Sequence, residues 1–303
     1  MMNTNEETNK LKFLVDDEHA GTPLKEILYD VMKLSSRLVR RAKRKKGILV
    51  NGHKIPLHSR LRRNDLVEVI MEDEPNQFEP DDINIEIVYE DVDLIIINKQ
   101  PGLVVHPTKG HPRGTLANAL VHHMNKSGNT FKIRFVNRLD RDTSGLIIVA
   151  KNSFGQQELS KQMQENKVDK YYLTVVEGQV SEDKGTIFAP IGREYEDSIK
   201  RVVIEGGQDC ITHFKVKERM KKATVLEIKL ETGRTHQIRV HMEYMGHALV
   251  GDELYGKISE LIGRQALHAK RLAFNQPRTG ERIVVDSTIP KDMENLINIL
   301  LSN

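Results

Sequence analysis

From residue 84 onward, the apolar stretches of this 303-residue chain are mostly of strand length and do not alternate with helical ones. Residues 85–89, 94–98, 146–150, 171–176, 212–217 and 224–230 read as strands, while 115–124, 154–165, 236–245 and 291–301 carry helical spacing. Strict alternation of strand and helix builds a parallel, doubly wound sheet. Strand runs that follow one another directly, as at 85–89 and 94–98 or at 212–217 and 224–230, build hairpins instead. The expected class is therefore α+β: a mixed, largely antiparallel sheet with flanking helices.

The first eighty residues are a different kind of sequence. Twelve of the 46 Lys and Arg residues lie between Lys33 and Arg63, a segment without a single Asp or Glu. The other 34 face all 43 acidic residues, so one short segment carries the positive field and the remainder is mildly acidic. Such segregation points to a polyanion held by one part of the molecule, against the blander reading of a solvated charged face. The organisation expected is a disordered tail over 1–11, a basic domain over 12–73, a linker over 74–83 and a larger domain over 84–303.

The lone cysteine, Cys210, excludes an internal disulfide and a thiolate metal site. No apolar run approaches the roughly 18 residues of a membrane span, and the polar start does not read as a signal peptide. The expectation is a monomeric cytoplasmic protein.

Within the basic domain, Leu24, Ile27, Leu28 and Val31 share one helical face. A second helix is expected to start at the capping residues Ser35 and Ser36 and to stop at Gly47. Arg37, Arg41, Arg44 and Lys45 make a single stripe along it, with Arg40 and Lys43 beside it and Lys46 at its end. A short apolar run, Ile48-Leu-Val50, then meets Asn51-Gly52, a strong hairpin signal. Two helices, a glycine, "ILVNG" and a β finish resemble the α-L RNA-binding domain first known from a ribosomal protein. That resemblance implies RNA held by phosphate contacts along Arg37, Arg40, Arg41, Arg44, Lys45 and Lys46.

Three stretches of the larger domain carry candidate chemistry. The first runs Val136-Asn-Arg-Leu-Asp140-Arg-Asp-Thr-Ser-Gly145, the second Lys170-Tyr-Tyr172, the third Gly233-Arg-Thr-His-Gln-Ile-Arg239-Val-His241. Alone, each has a plain structural reading: an Asx turn, a core tyrosine, and a helix start at which Thr235 can cap and Arg234 stands. His236 and His241, five apart, fall on different helical faces and do not make a zinc pair. In this order, and preceded by Asn98-Lys-Gln-Pro-Gly-Leu-Val-Val-His-Pro107, they closely resemble the RluA-type RNA pseudouridine synthases. Gly251-Asp-Glu-Leu-Tyr-Gly256 and Leu267-His-Ala269 fit the same family, so the resemblance covers about residues 84–290. Two departures stand out. Asn137 occupies the family's usual histidine position, and Gln100 separates a lysine and proline that the family keeps adjacent.

The resemblance implies an isomerase that needs neither cofactor nor metal. Uracil leaves C1′ through N1, turns over and rejoins through C5. A carboxylate meets the charge that develops at C1′, and a base removes the C5 proton. Carried onto this sequence, Asp140 is that carboxylate, Arg234 its ion-pair partner, and Tyr172 the ring against the detached uracil and a candidate for handling the C5 proton. Arg138, two residues from Asp140, is a candidate to fill the space of the flipped base. Large-subunit (23S) ribosomal RNA is the favoured substrate, with transfer RNA open. The rivals are a non-catalytic RNA-binding protein and a nucleoside glycosidase, which would release free uracil. A nucleotide-binding enzyme is disfavoured, because no phosphate-cradling glycine loop is present.

Overall fold

The computed structural model describes residues 9–71, 76–108 and 110–302. The expected tail up to residue 8 and the first part of the expected linker lie outside them.

In the N-terminal unit, strand β1 (Lys10–Leu14) includes residues 10 and 11, the end of the stretch expected to be a disordered tail. A short helix α1 (Leu24–Glu26) widens into a π-turn over Ile27–Val31, burying Leu24, Ile27 and Leu28. Helix α2 (Ser36–Arg44) is capped by Ser35, whose hydroxyl accepts from the Leu38 amide at 3.3 Å. Leu38, Val39 and Ala42 face the core, which leaves the basic stripe outward. The helix ends because Lys46 turns left-handed (φ 59°), one residue before the glycine expected to stop it. Strand β2 (Ile48–Val50) leads into the Asn51-Gly52 turn, closed by reciprocal Val50–His53 backbone bonds. Strand β3 (Leu66–Ile70) then pairs antiparallel with both β1 and β2.

The larger unit is one ten-stranded sheet. Its path runs β4 (Glu86–Glu90), β5 (Leu94–Lys99), β7 (Ser144–Ala150), β14 (Leu267–Asn275), β8 (Asp169–Glu177), β13 (Ala223–Leu230), β12 (Ile211–Arg219) and β9 (Lys184–Phe188). Two short strands join off that path, β6 (Arg134–Phe135) on β7 and β15 (Arg282–Asp286) on β14. Strands β10 (Ile191–Arg193) and β11 (Arg201–Val203) form a separate ribbon. All pairings are antiparallel except β7 with β14, where Ser144 and Gly145 meet His268 and Ala269. Gly145 (φ 108°) permits that contact, since a Cβ there would lie 2.3 Å from the Ala269 carbonyl oxygen.

Strand β5 shows why both sheet faces are covered. Ile95 and Ile97 pack with Leu116 and Leu120 of helix α3 (Leu116–Ser127), while Leu94 and Ile96 pack with Leu159 of helix α4 (Ser153–Gln164). Helix α5 (Gln237–Tyr244) sends Ile238 and Met242 into the first of these clusters, and α6 (Lys291–Ser302) covers a further one through Met293 and Leu296. The α+β class expected from the sequence is the class observed.

Residues 76–83 behave as a strap laid on the sheet domain, not as a free linker. Asn76 accepts from the Ile133 amide at 2.8 Å, the Asn118 amide group donates to the Glu79 carbonyl at 2.7 Å, and Asp81 pairs with Arg113. The two units also touch directly. Phe154 of α4 sits in the N-terminal core, and Arg278 donates to the Lys10 carbonyl at 2.7 Å while chelating the fully buried Asp93.

Candidate active site

Asp140 stands in the turn between β6 and β7, and the turn is fixed from three sides. The Asn137 amide group extends the β6–β7 ladder where the backbone departs from it: its oxygen accepts from the Ile148 amide at 2.7 Å and its nitrogen donates to the Leu146 carbonyl at 3.2 Å. The residue that departs from the family pattern thus does a peptide group's work. Lys99, fully buried, donates to the carbonyls of Gln100, Leu103 and Arg141 at 2.8–3.0 Å, tying the turn after β5 to the Asp140 turn. Burial pulls its ammonium down to about 7. Arg264 donates to the Asp142 carbonyl at 3.0 Å and is held by Asp292.

The partner of Asp140 is Arg239, not Arg234. Arg239 lies in the first turn of α5 and is 7% exposed. Its guanidinium grips the fully buried Asp252 through two bonds of 2.6 and 2.8 Å, and its remaining nitrogen reaches Asp140 at 3.2 Å. Asp252 is itself held by the amides of Leu254 and Tyr255 at 3.1 Å. The Tyr255 ring lies under the guanidinium, 4.9 Å from its carbon. One cation therefore serves two carboxylates, and the fork geometry of arginine allows it. Arg234 sits exposed at the mouth of the cleft, its backbone amide donating to the Gln237 side chain and its carbonyl accepting from the Gln237 amide.

His236 is the second neighbour of Asp140, with Nε2 3.7 Å from the carboxylate. It is the N-cap residue of α5 in a left-handed conformation (φ 59°), and the expected cap Thr235 does not serve as one. The Tyr255 hydroxyl accepts from the Arg201 amide at 2.8 Å and lies 2.9 Å from His236 Nδ1, which orients the ring with Nε2 toward Asp140. Burial lowers the histidine's pKa, and Asp140 opposes that only in part.

Tyr172, on β8, is 8% exposed and lines the same recess. Burial, and secondarily the Asp140 charge, raises its hydroxyl well above the ordinary tyrosine range. Its ring forms one wall of the recess beside Asp140. Asp140, Tyr172, Leu230, Ile238 and Arg239 bound a small recess of about 60 Å³. It opens into a cleft of about 1140 Å³ lined also by His106, Arg138, Lys170 and Arg234. The structure thus gathers Asp140, Tyr172, Arg138 and Arg234 as the sequence led one to expect. The stripe residues Arg37, Arg40, Arg44, Lys45 and Lys46 are exposed and Arg41 half-buried, all on the N-terminal unit. Arg239, Tyr255 and Lys99 stood in the quoted motifs without a role, and His236 was weighed only as one of a zinc pair. An arginine between Ile238 and Val240 in a short helix was the available signal, since a buried guanidinium requires a carboxylate.

The profile of the RNA pseudouridylate synthase family matches residues 93–244, which span the Asp140 turn, Tyr172 and Arg239. A Bacillus subtilis protein described as an uncharacterised RNA pseudouridine synthase is 37% identical over 98% of this chain and 100% of its own length. This chain belongs to the RNA pseudouridine synthase family. It is accordingly an isomerase of the RluA type acting on RNA. The ribosomal large subunit pseudouridine synthase D of Xanthomonas campestris is 37% identical over 95% of this chain and 91% of that one. Among solved structures, human RNA pseudouridylate synthase domain containing 1 aligns with a TM-score of 0.56 and 26% identity, over 73% of this chain and 96% of that one.

Proposed function

We propose that this pseudouridine synthase isomerises uridines of large-subunit ribosomal RNA, working as a monomer in the cytoplasm, with Asp140 as its catalytic carboxylate. The observation that carries the reading is the setting of Asp140. It lies at the floor of a cleft, 3.2 Å from a guanidinium that Asp252 and Tyr255 hold in place. A carboxylate so held needs no reorganisation as positive charge builds at C1′. The N1–C1′ bond breaks, the uracil turns against Tyr172, C5 bonds to C1′, and the proton lost from C5 is matched by one gained at N1. Arg138, exposed at the cleft wall with no carboxylate partner among the described residues, enters the gap left by the flipped base. The outward stripe of α2 supplies phosphate contacts away from the reacting base. The substrate class rests on relatives such as the large-subunit enzyme of X. campestris, which spans both units of this chain.

Tritium release from RNA labelled at uridine C5 tests this, with ribosomal and transfer RNA transcripts compared side by side. Release from ribosomal RNA by wild type and none by Asp140→Asn is the expected result. Release from transfer RNA alone would overturn the substrate, free uracil would show a glycosidase, and tight binding without release would show a binding protein.

A further inference from the structure

Lys170 has no place in the chemistry above, yet it is the buried cation of the cleft. On β8 it stands two residues before Tyr172, and alternate strand residues face the same side, so both point into the same space. It is 7% exposed, whereas Arg138 and Arg234, the other unpaired cations of this wall, are exposed. Its ammonium makes one hydrogen bond, to the Glu231 carbonyl at 3.2 Å. The Glu231 carboxylate, the nearest candidate counter-ion in sequence, is turned away onto His213 Nε2 at 2.6 Å. The Lys170 ammonium thus faces the cleft with one protein hydrogen bond and no carboxylate partner among the described residues, which leaves N–H donors available to an anion entering the cleft. Burial lowers the pKa of this lysine, and no carboxylate opposes it.

The position narrows what that anion is. Asp140, Tyr172 and Leu230 line both the recess and the wider cleft, whereas Lys170 lines only the cleft. With a base seated against Asp140 and Tyr172, the wider cleft at Lys170 is the space open to the adjoining ribose-phosphate chain. Gly233 lies above the ammonium, where a Cβ would be 3.9 Å from Nζ, so the approach is not roofed by a side chain.

We propose that Lys170 binds a phosphodiester group next to the target uridine, fixing the register of the strand that delivers the base to Asp140. Resting on the assignment of this cleft to RNA, it makes Lys170 a substrate-binding residue of the site. A compact ammonium suits a phosphate met as a point charge, and the open donors are satisfied only in the complex.

The test compares wild type with Lys170→Met, using a stem-loop RNA that carries the target uridine. Affinity is measured across salt concentrations, with single methylphosphonate linkages placed in turn around the uridine. One neutral linkage should weaken wild-type binding about tenfold or more and leave Lys170→Met unaffected. The variant's log–log salt slope should be shallower by about 0.7, one single-strand phosphate. Without RNA, the variant should melt no lower than wild type, because an uncompensated buried charge has been removed. Unchanged slope, an unchanged methylphosphonate pattern, or a variant that melts lower and binds as wild type would overturn the proposal and leave Lys170 a prop for the 231–233 turn. Wild type that binds no RNA would overturn the RNA reading of the cleft as well.

Discussion

Arg239 shows how one residue holds two others in place. Asp140 and Asp252 share its guanidinium, so removing it takes the paired cation from both carboxylates at once. Breaking a buried pair by deleting one partner costs about 3–5 kcal/mol. Arg239→Ala should therefore abolish tritium release and lower the unfolding free energy from urea titration by an amount in that range. Arg234→Ala, on the exposed mouth of the cleft, should leave that free energy within about 0.5 kcal/mol of wild type. Equal losses of stability in the two variants would refute the division of labour. The sequence placed both arginines in one motif. The choice between them needed the helix phase of α5, whose first turn buries Arg239 while the preceding loop leaves Arg234 in solvent.

At the scale of elements, β14 is the strand on which the sheet turns. It pairs parallel with β7 and antiparallel with β8 and β15, and His268 sits at that junction. Ser144 of β7 meets its Nδ1 at 3.0 Å and Ser287 its Nε2 at 2.8 Å. The Ser287 hydroxyl donates to the Ala269 carbonyl at 3.0 Å, so it accepts from Nε2, and Nδ1 must stay unprotonated for Ser144. Burial first, then Lys270 and Arg264, lowers this histidine to about 4. The unfolded chain takes up the proton near 6.5 and the folded chain only near 4, so stability is complete above 6.5 and drains away as pH falls toward 4. The loss through this group is about 3 kcal/mol. Urea midpoints at pH 7.5 and pH 4.5 should differ less in His268→Gln than in wild type, and an identical difference would refute the assignment. No alternation or turn signal announced β14 as a strand. Its residues are buried on both faces, which erases the period-two pattern, so periodicity did not find it.

Across the whole molecule, the two units are joined by more than a tether. Helix α4 enters the N-terminal core through Phe154 at its start and reaches the cleft through Met163 and Gln164 at its end. Those ends are ten residues apart, roughly 15 Å along a helix axis. A rigid element thus separates the docked basic unit from the cleft. The clamp that holds the dock is Arg278 on Asp93, which also offers a donor to Lys10. Arg278→Ala should loosen the N-terminal unit, read as faster limited proteolysis between the units, and should leave turnover on a minimal stem-loop nearly unchanged. Proteolysis at the wild-type rate would mean that Phe154 and the strap hold the unit without the clamp.

The sequence by itself determined which residues could do chemistry and the two-part plan of the chain. Asp140, Tyr172 and the basic stripe are legible because residue type, local period and motif order are local properties. The α+β class was legible because strand runs followed one another without helices between them. Only the tertiary structure decided that Arg239 holds Asp140, that Lys170 is buried without a counter-ion, and that residues 76–83 are a bound strap. Each of these depends on what a side chain meets across the fold, where Arg239 and Asp140 are 99 residues apart in sequence. Burial and the pairing of charges are set by that encounter, and no local period records it.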